Sequence, residues 1–398
     1  VNRNGVVKLA LALVLLAVPV QAQTTDACAY LTGLIPVEGG PLFLPSYPTA
    51  EDGPLRSVAF LYDDAVAAIA LVGCGEAGRA RRIGDAILTA LDHDRAWHDG
   101  RLRNAYAAGP VETPVRLGGW WDKAQGRWAE DRYQVSSDTG NMAWAMLALL
   151  ALDPALHDPR YRDGAVRIGN WVAAQGDARG AGGFTGGFSG WEPSPSALSW
   201  KSTEHNTDLA GAFTLLSKAT GDPAWSDRAA RAAAFVGAMW DAGCACFAVG
   251  TTDDGVTPNR ILALDAELWP LLAIRAMAAH AEADLATVDS KLAVGDGYSY
   301  SDAGHAVWTE GTAQAALVLE LLGHDDRAET ANRAVEAQRA PHGGYFATPE
   351  PRLATGFANA ADPATQRYYF HLPHLAAAAW AALAEKHFNP FTDEAALP

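Results

Sequence analysis

The chain has little cysteine or methionine, little positive charge and no second long apolar run. Of 398 residues, 4 are Cys and 4 are Met, and 30 Lys+Arg stand against 46 Asp+Glu, a formal net charge of -16. A surface this acidic repels nucleic acid and anionic membranes, and it disfavours a strongly anionic polymer unless a local basic patch intervenes. Neutral partners suit it better. After the N-terminal region, no stretch reaches the roughly eighteen uninterrupted apolar residues of a membrane-spanning helix. A phosphate-cradling loop is missing too, because Gly182 to Gly190 has neither a preceding strand nor a following Lys-Ser/Thr pair. Thr251-Thr252-Asp253-Asp254-Gly255 reads as an ordinary Asp-Gly turn, so no metal and no cofactor are expected.

What is present begins with an export signal. Arg3 and Lys8 precede an apolar run from Leu9 to Val20, and Val20-Gln21-Ala22 is a small-residue cleavage pattern. Residues 1–22 are therefore predicted to be a signal peptide. Removing its two positive charges takes the net charge from -16 to about -18. No cysteine follows the cleavage point, which argues against a lipid anchor. The expected product is periplasmic or secreted, with no membrane attachment after cleavage, no nucleic-acid partner, and a monomeric state. In such a compartment the cysteines can pair. Cys244 and Cys246, one residue apart, are poorly spaced for zinc and strained for a mutual bond, so Cys28 with Cys74 is put first among pairings that remain open.

Along the remaining chain one pattern repeats: a helix apolar on every side, followed by an amphipathic one. The buried members open at Asp64, Asp138, Glu204, Asp265, Glu310 and His371. Their amphipathic partners run over Glu76 to Leu91, Arg160 to Gln175, Pro223 to Trp240, Ala281 to Leu292 and Asp325 to Gln338. A helix apolar all round is buried all round, so six of them backed by outer helices imply a closed ring. The last buried segment, Tyr369 to Leu383, lacks an outer helix, and the short helix near Ala27 can supply it. The fold class is all-α, with long Trp- and Gly-rich loops over one end. Pro270 is placed at the first turn of its helix, where its missing N–H has no partner anyway.

Several openings carry carboxylates. Tyr62-Asp63-Asp64-Ala65, Asp138-Thr139-Gly140-Asn141-Met142-Ala143-Trp144, Ser202-Thr203-Glu204-His205-Asn206, Leu264-Asp265-Ala266-Glu267-Leu268-Trp269 and Trp308-Thr309-Glu310-Gly311-Thr312-Ala313-Gln314, in this layout, resemble the six-hairpin glycosidase superfamily. The resemblance implies an (α/α)6 toroid over residues 23–398, a single catalytic domain with its cleft where the inner helices begin. It does not select one reaction, because polysaccharide lyases and sugar epimerases share the layout.

Glycoside hydrolysis commonly uses two carboxyl groups flanking the scissile bond. Glu204 is the first choice for general acid, since burial and neighbouring acids would keep it protonated. Glu310 is second and fits either role; Asp64 and Asp138 compete for the base. Candidate ligands of a polysaccharide or oligosaccharide are His205, Asn206, Asp208, Asp265, Glu267, Gln314 and Tyr62, with Trp121, Trp200 and Trp308 as rings for a sugar face to stack on. Thr203 is read as the N-cap of its helix. Rival readings are an epimerase using His205, His371 and His374, a lyase drawing on Lys201, Arg367 and Tyr368, and a non-catalytic glycan binder in polysaccharide export.

Overall fold

A computed structural model describes Val1 and residues 26–358, 364–394 and 396–398. Apart from Val1, the predicted signal peptide lies outside the described residues. In chain order the helices are α1 (Ala27–Leu34), α2 (Leu61–Gly73), α3 (Ala77–His93), the single turn α4 (Arg132–Val135), α5 (Thr139–Leu156), α6 (Pro159–Ala173), α7 (Thr203–Thr220), α8 (Pro223–Ala238), α9 (Leu264–Ala273), α10 (Ala281–Leu292), α11 (Thr309–Leu321), α12 (Asp325–Glu336) and α13 (Leu375–Glu385). Among them no helix is long and apolar enough to cross a membrane.

Helices α2, α5, α7, α9, α11 and α13 pack each on the next, and α13 returns to α2, so they close a ring. The reason is visible in α5, where every residue from Met142 to Leu152 is buried. Such a helix is stable only with neighbours on all sides, each buried Leu or Met contributing about 1.5–3 kcal/mol. Helices α3, α6, α8, α10 and α12 lie outside their inner partners. In α3 the apolar residues Ala80, Ile83, Ala86, Ile87, Ala90 and Leu91 form one buried stripe at helical spacing. Gly84 lets α3 approach closely, because a Cβ there would lie 2.3 Å from Leu152 and 2.8 Å from Tyr161.

The sixth outer helix is α1, which packs on α13 and α2. The Glu385 carboxylate at the end of α13 accepts from the Ala27 N–H at 3.1 Å. A Cys28–Cys74 disulfide joins α1 to the end of α2. Cys244 and Cys246 are also joined, across a turn with Cα atoms 5.3 Å apart. Their spacing made a mutual bond the less favoured of the open pairings, and Ala245 between them takes a positive φ of 53°.

Three other expectations shift. Pro270 falls in the second turn of α9, not the first; the helix is only 10 residues long and ends at Ala273. The segment from Tyr369 to Leu383 is not one helix, because Gln366–Phe370 pairs as a strand with Arg352–Ala358 and α13 begins at Leu375. Ser202 rather than Thr203 caps α7, its hydroxyl accepting from the His205 N–H.

At the starts of the inner helices, short antiparallel ribbons hold the loops. Val58–Phe60 pairs with Ala105–Ala107, and Ser137–Asp138 pairs with Gly187–Ser189, which pairs with Ser196–Leu198. A buried cation fastens three of these loops. The Arg103 guanidinium donates to both Asp94 oxygens at 2.6 and 2.9 Å, to the Val135 carbonyl at 3.2 Å and to Glu192 at 3.0 Å.

Candidate active site

All six inner helices begin at the same end of the ring, and two cavities of about 910 and 610 Å³ open there. Tyr62, Tyr133, Asn141, Arg367 and Tyr369 line both, forming a neck between them. The smaller cavity holds Asp138, Glu204, His205, Asp265 and Glu310; the larger holds Asp63, His371 and His374. Three tryptophans from alternate inner helices, Trp144, Trp269 and Trp380, fill the ring axis below, with centroids 5.2 to 5.9 Å apart. One wall of the smaller cavity is aromatic: Tyr300, Trp308 and Tyr369 lie with centroids 4.7 to 5.7 Å apart.

At the helix starts inside the ring, burial raises Asp138, Glu204, Asp265 and Glu310. Asp138 is pushed up to about 7 by burial, against the hydrogen bond from Asn104 and the charge of Arg367. Asp265 is raised to about 6 by burial, although the Ala266 N–H donates to it at 2.7 Å. Glu204 is held well above the usual carboxylate range, first by burial, then by Asp265, Glu310 and Asp138. Its carboxyl is half-buried, faces the cavity and has no hydrogen-bond partner among the described residues.

Glu310 is held differently. It is 1% exposed and accepts from the Tyr62 hydroxyl at 2.5 Å, and the Trp380 indole N–H donates to that hydroxyl at 2.7 Å. His374 Nδ1 lies 3.6 Å from its other oxygen, while His374 Nε2 lies 3.2 Å from Asp63. Burial raises Glu310 to about 7, with His374 and Tyr62 pulling it down and Asp63 pushing it up. Burial disfavours the His374 imidazolium, yet Asp63 and Glu310 together raise its pKa. His205 has no such carboxylates; burial and Arg367 lower it to about 4, so its ring is neutral. Gly140 makes room for that ring, since a Cβ would lie 2.4 Å from it. Among the described residues no group of three His, Cys, Asp or Glu could hold a metal ion.

A sugar epimerase from a ruminal bacterium matches with a TM-score of 0.62 at 13% identity, over 90% of this chain and 96% of that one. Cellobiose 2-epimerase from Bacillus thermoamylovorans matches at 0.60 and 13%, over 89% and 95%. A glycosidase variant in complex with glucose matches at 0.59 and 15%, over 90% and 94%. The chain shares the fold of these structures, an (α/α)6 toroid. The sequence matches no protein-family model and no curated protein.

The toroid gathers Tyr62, Asp138, Glu204, His205, Asp265, Glu310, Trp200 and Trp308 at one cavity. Other candidates turn elsewhere. Asp64 points away from both cavities and accepts from the Leu44 N–H at 2.8 Å, so Asp63 is the acid of that helix that reaches the cleft. Asn206 is spent on backbone, bonding Phe184 N and O and the Ser202 carbonyl. Glu267 faces outward, accepts from the Phe247 N–H at 2.8 Å and lies against Asp284 of α10. Asp208 is fully buried beneath Glu204, and Gln314 lies one turn below Glu310, its amide 3.4 Å from that carboxylate. Trp121, 59% exposed, sits with Trp128 on a hairpin outside both cavities. Tyr47, Tyr300 and Tyr369 were not singled out from sequence. Tyr369 lies on the Gln366–Phe370 strand and the other two on loops, and only their aromatic character was available as a signal.

Proposed function

We propose that the protein is an exported glycoside hydrolase acting on an oligosaccharide or polysaccharide that is neutral or weakly charged. The observation that carries this reading is Glu204: a carboxyl facing the cavity, without a hydrogen-bond partner among the described residues, and pushed toward its protonated form by burial and three neighbouring acids. A general acid needs that state to protonate a leaving glycosidic oxygen. Glu310 is the complementary base. Tyr62 donates to it and the His374 imidazole stands beside it, both favouring its ionised form, which can take a proton from water or bond to the sugar. Tyr300, Trp308 and Tyr369 supply ring faces for the sugar, and Asp138 and Asp265 accept from its hydroxyls.

An epimerase is the second reading. It is favoured by the neutral His205 ring beside the same cavity, with the Arg367 guanidinium near enough to stabilise an oxyanion formed next to a sugar carbonyl. Product analysis separates the two. Purified protein is incubated with neutral glycans, uronate-containing glycans and free cellobiose, with Glu204→Gln and Glu310→Gln alongside. New reducing ends from a glycan, lost in both variants, are expected. An altered disaccharide with its linkage intact would overturn hydrolysis in favour of epimerisation, and unsaturated ultraviolet-absorbing products would overturn both.

A further inference from the structure

Arginine stands out in a cleft otherwise built of acids and rings. Two basic side chains other than histidine line the two cavities, Lys201 and Arg367. Lys201 is committed elsewhere: it is buried, donates to the Arg179 carbonyl at 2.7 Å and lies 3.8 Å from Asp177. Arg367 is not. Its guanidinium lies over the Tyr133 ring, 4.7 Å from the centroid, and it has no hydrogen bond or ion pair from its side chain among the described residues. It occupies the neck, on the wall of both cavities, and its own strand is exposed at that position.

The position matters because carboxylates are abundant there, yet none among the described residues has paired with the guanidinium. Burial raises Asp138 to about 7 and Glu204 well above the usual carboxylate range, against the pull of the Arg367 charge, so neither offsets that charge in full. A planar fork of N–H donors, backed by an aromatic ring, matches a carboxylate bidentately. The overall charge of -16 restricts what can bring that carboxylate. A polymer with an acid on every unit is repelled along its length, whereas one isolated acid can be seated at the single guanidinium.

We propose that Arg367 is the receptor for one carboxylate-bearing sugar, a uronic acid unit within an otherwise neutral glycan, seated in the neck between the two cavities. The proposal rests on the sugar-processing reading and refines it to a substrate class. The sugar ring then lies between Tyr133 and Tyr369, and neutral units extend into both cavities.

The test is binding, not turnover. Methyl glucuronide, methyl galacturonide, methyl glucoside and acetate are titrated calorimetrically into the wild-type protein, Arg367→Gln and Arg367→Lys. One of the two uronides is expected to bind roughly tenfold or more tightly than the glucoside. Arg367→Gln should abolish that preference, bringing the uronides to the affinity of the glucoside in the same variant, and Arg367→Lys should retain part of it. Equal binding of uronides and glucoside by the wild type would overturn the proposal without any variant being needed. Acetate binding as tightly as the uronide would also overturn it, since that describes an anion hole rather than a sugar site. A uronide preference in a protein that releases no reducing ends leaves this inference standing and defeats the hydrolase reading. The reverse pattern does the opposite.

Discussion

The Tyr62 hydroxyl donates to Glu310 at 2.5 Å because its acceptor position is filled by the Trp380 indole N–H at 2.7 Å. The indole can only donate, so the phenol proton is directed at the carboxylate. Hydrogen bonds of this kind favour the charged form of the acceptor. With His374 on the other oxygen, they oppose the burial that brings Glu310 to about 7.

Removing either support should therefore raise the Glu310 pKa. If Glu310 is the base, the low-pH limb of kcat/KM moves to higher pH in Tyr62→Phe and further in His374→Asn, by about half to one unit, with KM little changed. A pH–rate profile of each variant checks this. An unshifted limb would assign the base to another carboxylate.

Glu267 and Asp284 form a buried acid pair between α9 and α10. Burial raises both, with Asp284 at about 7, so the folded protein retains protons that the unfolded chain releases. Their contribution is fully present below the unfolded carboxylate range and is lost as pH rises through about 7. Asp284→Asn should flatten the fall in melting temperature between about pH 5 and 8 and stabilise the protein at the upper end, on the order of 1–2 kcal/mol. Thermal melts across that range decide it.

Arg103 acts in the opposite sense. Despite burial, it holds Asp94 below the usual carboxylate range, so this ion pair is stabilising at neutral pH and is lost in acid. Arg103→Ala leaves Asp94 buried and uncompensated and should cost about 3–5 kcal/mol. Denaturant midpoints would show the loss, and protease cleavage between residues 95 and 104 should accelerate.

Replacing Cys28 and Cys74 by alanine should destabilise the protein by about 2–4 kcal/mol, because the bond closes a separation of 46 residues and holds α1 against α2. Comparing denaturation of wild type with and without reductant, beside the double variant, checks both magnitude and origin. The melt of the double variant should not respond to reductant at Cys28 or Cys74.

Much of the ring was legible because burial writes itself into composition. A helix such as α5, apolar on all faces, has few places to go except among other helices, and α3 shows the single stripe of an outer one. The ends of helices were less legible. Asp63 and Asp64 are adjacent acids in the same first turn, and sequence alone does not say which follows the cleft and which turns to Leu44. Asn206 and Glu267 looked like ligands because they stand beside Glu204 and Asp265, yet helical rotation of about 100° per residue carries neighbours to different faces. Arg367 was named only as support for a lyase. Its place in the neck depends on a hairpin formed by Arg352–Ala358 and Gln366–Phe370, whose pairing has no helical periodicity to announce it.

The contact between Ala27 and Glu385 spans 358 positions. A chain delivered from its N-terminus, by a ribosome or through an export channel, thus presents α1 first and must wait for α13 before either has its partner. Until then α2 lacks the neighbour that covers one flank, and the growing barrel is an open arc with apolar edges. The last inner helix to emerge acts as the clasp. A truncation that removes α13 leaves an unfinished circle at both edges, so the final helix is as necessary to the start of the protein as to its end.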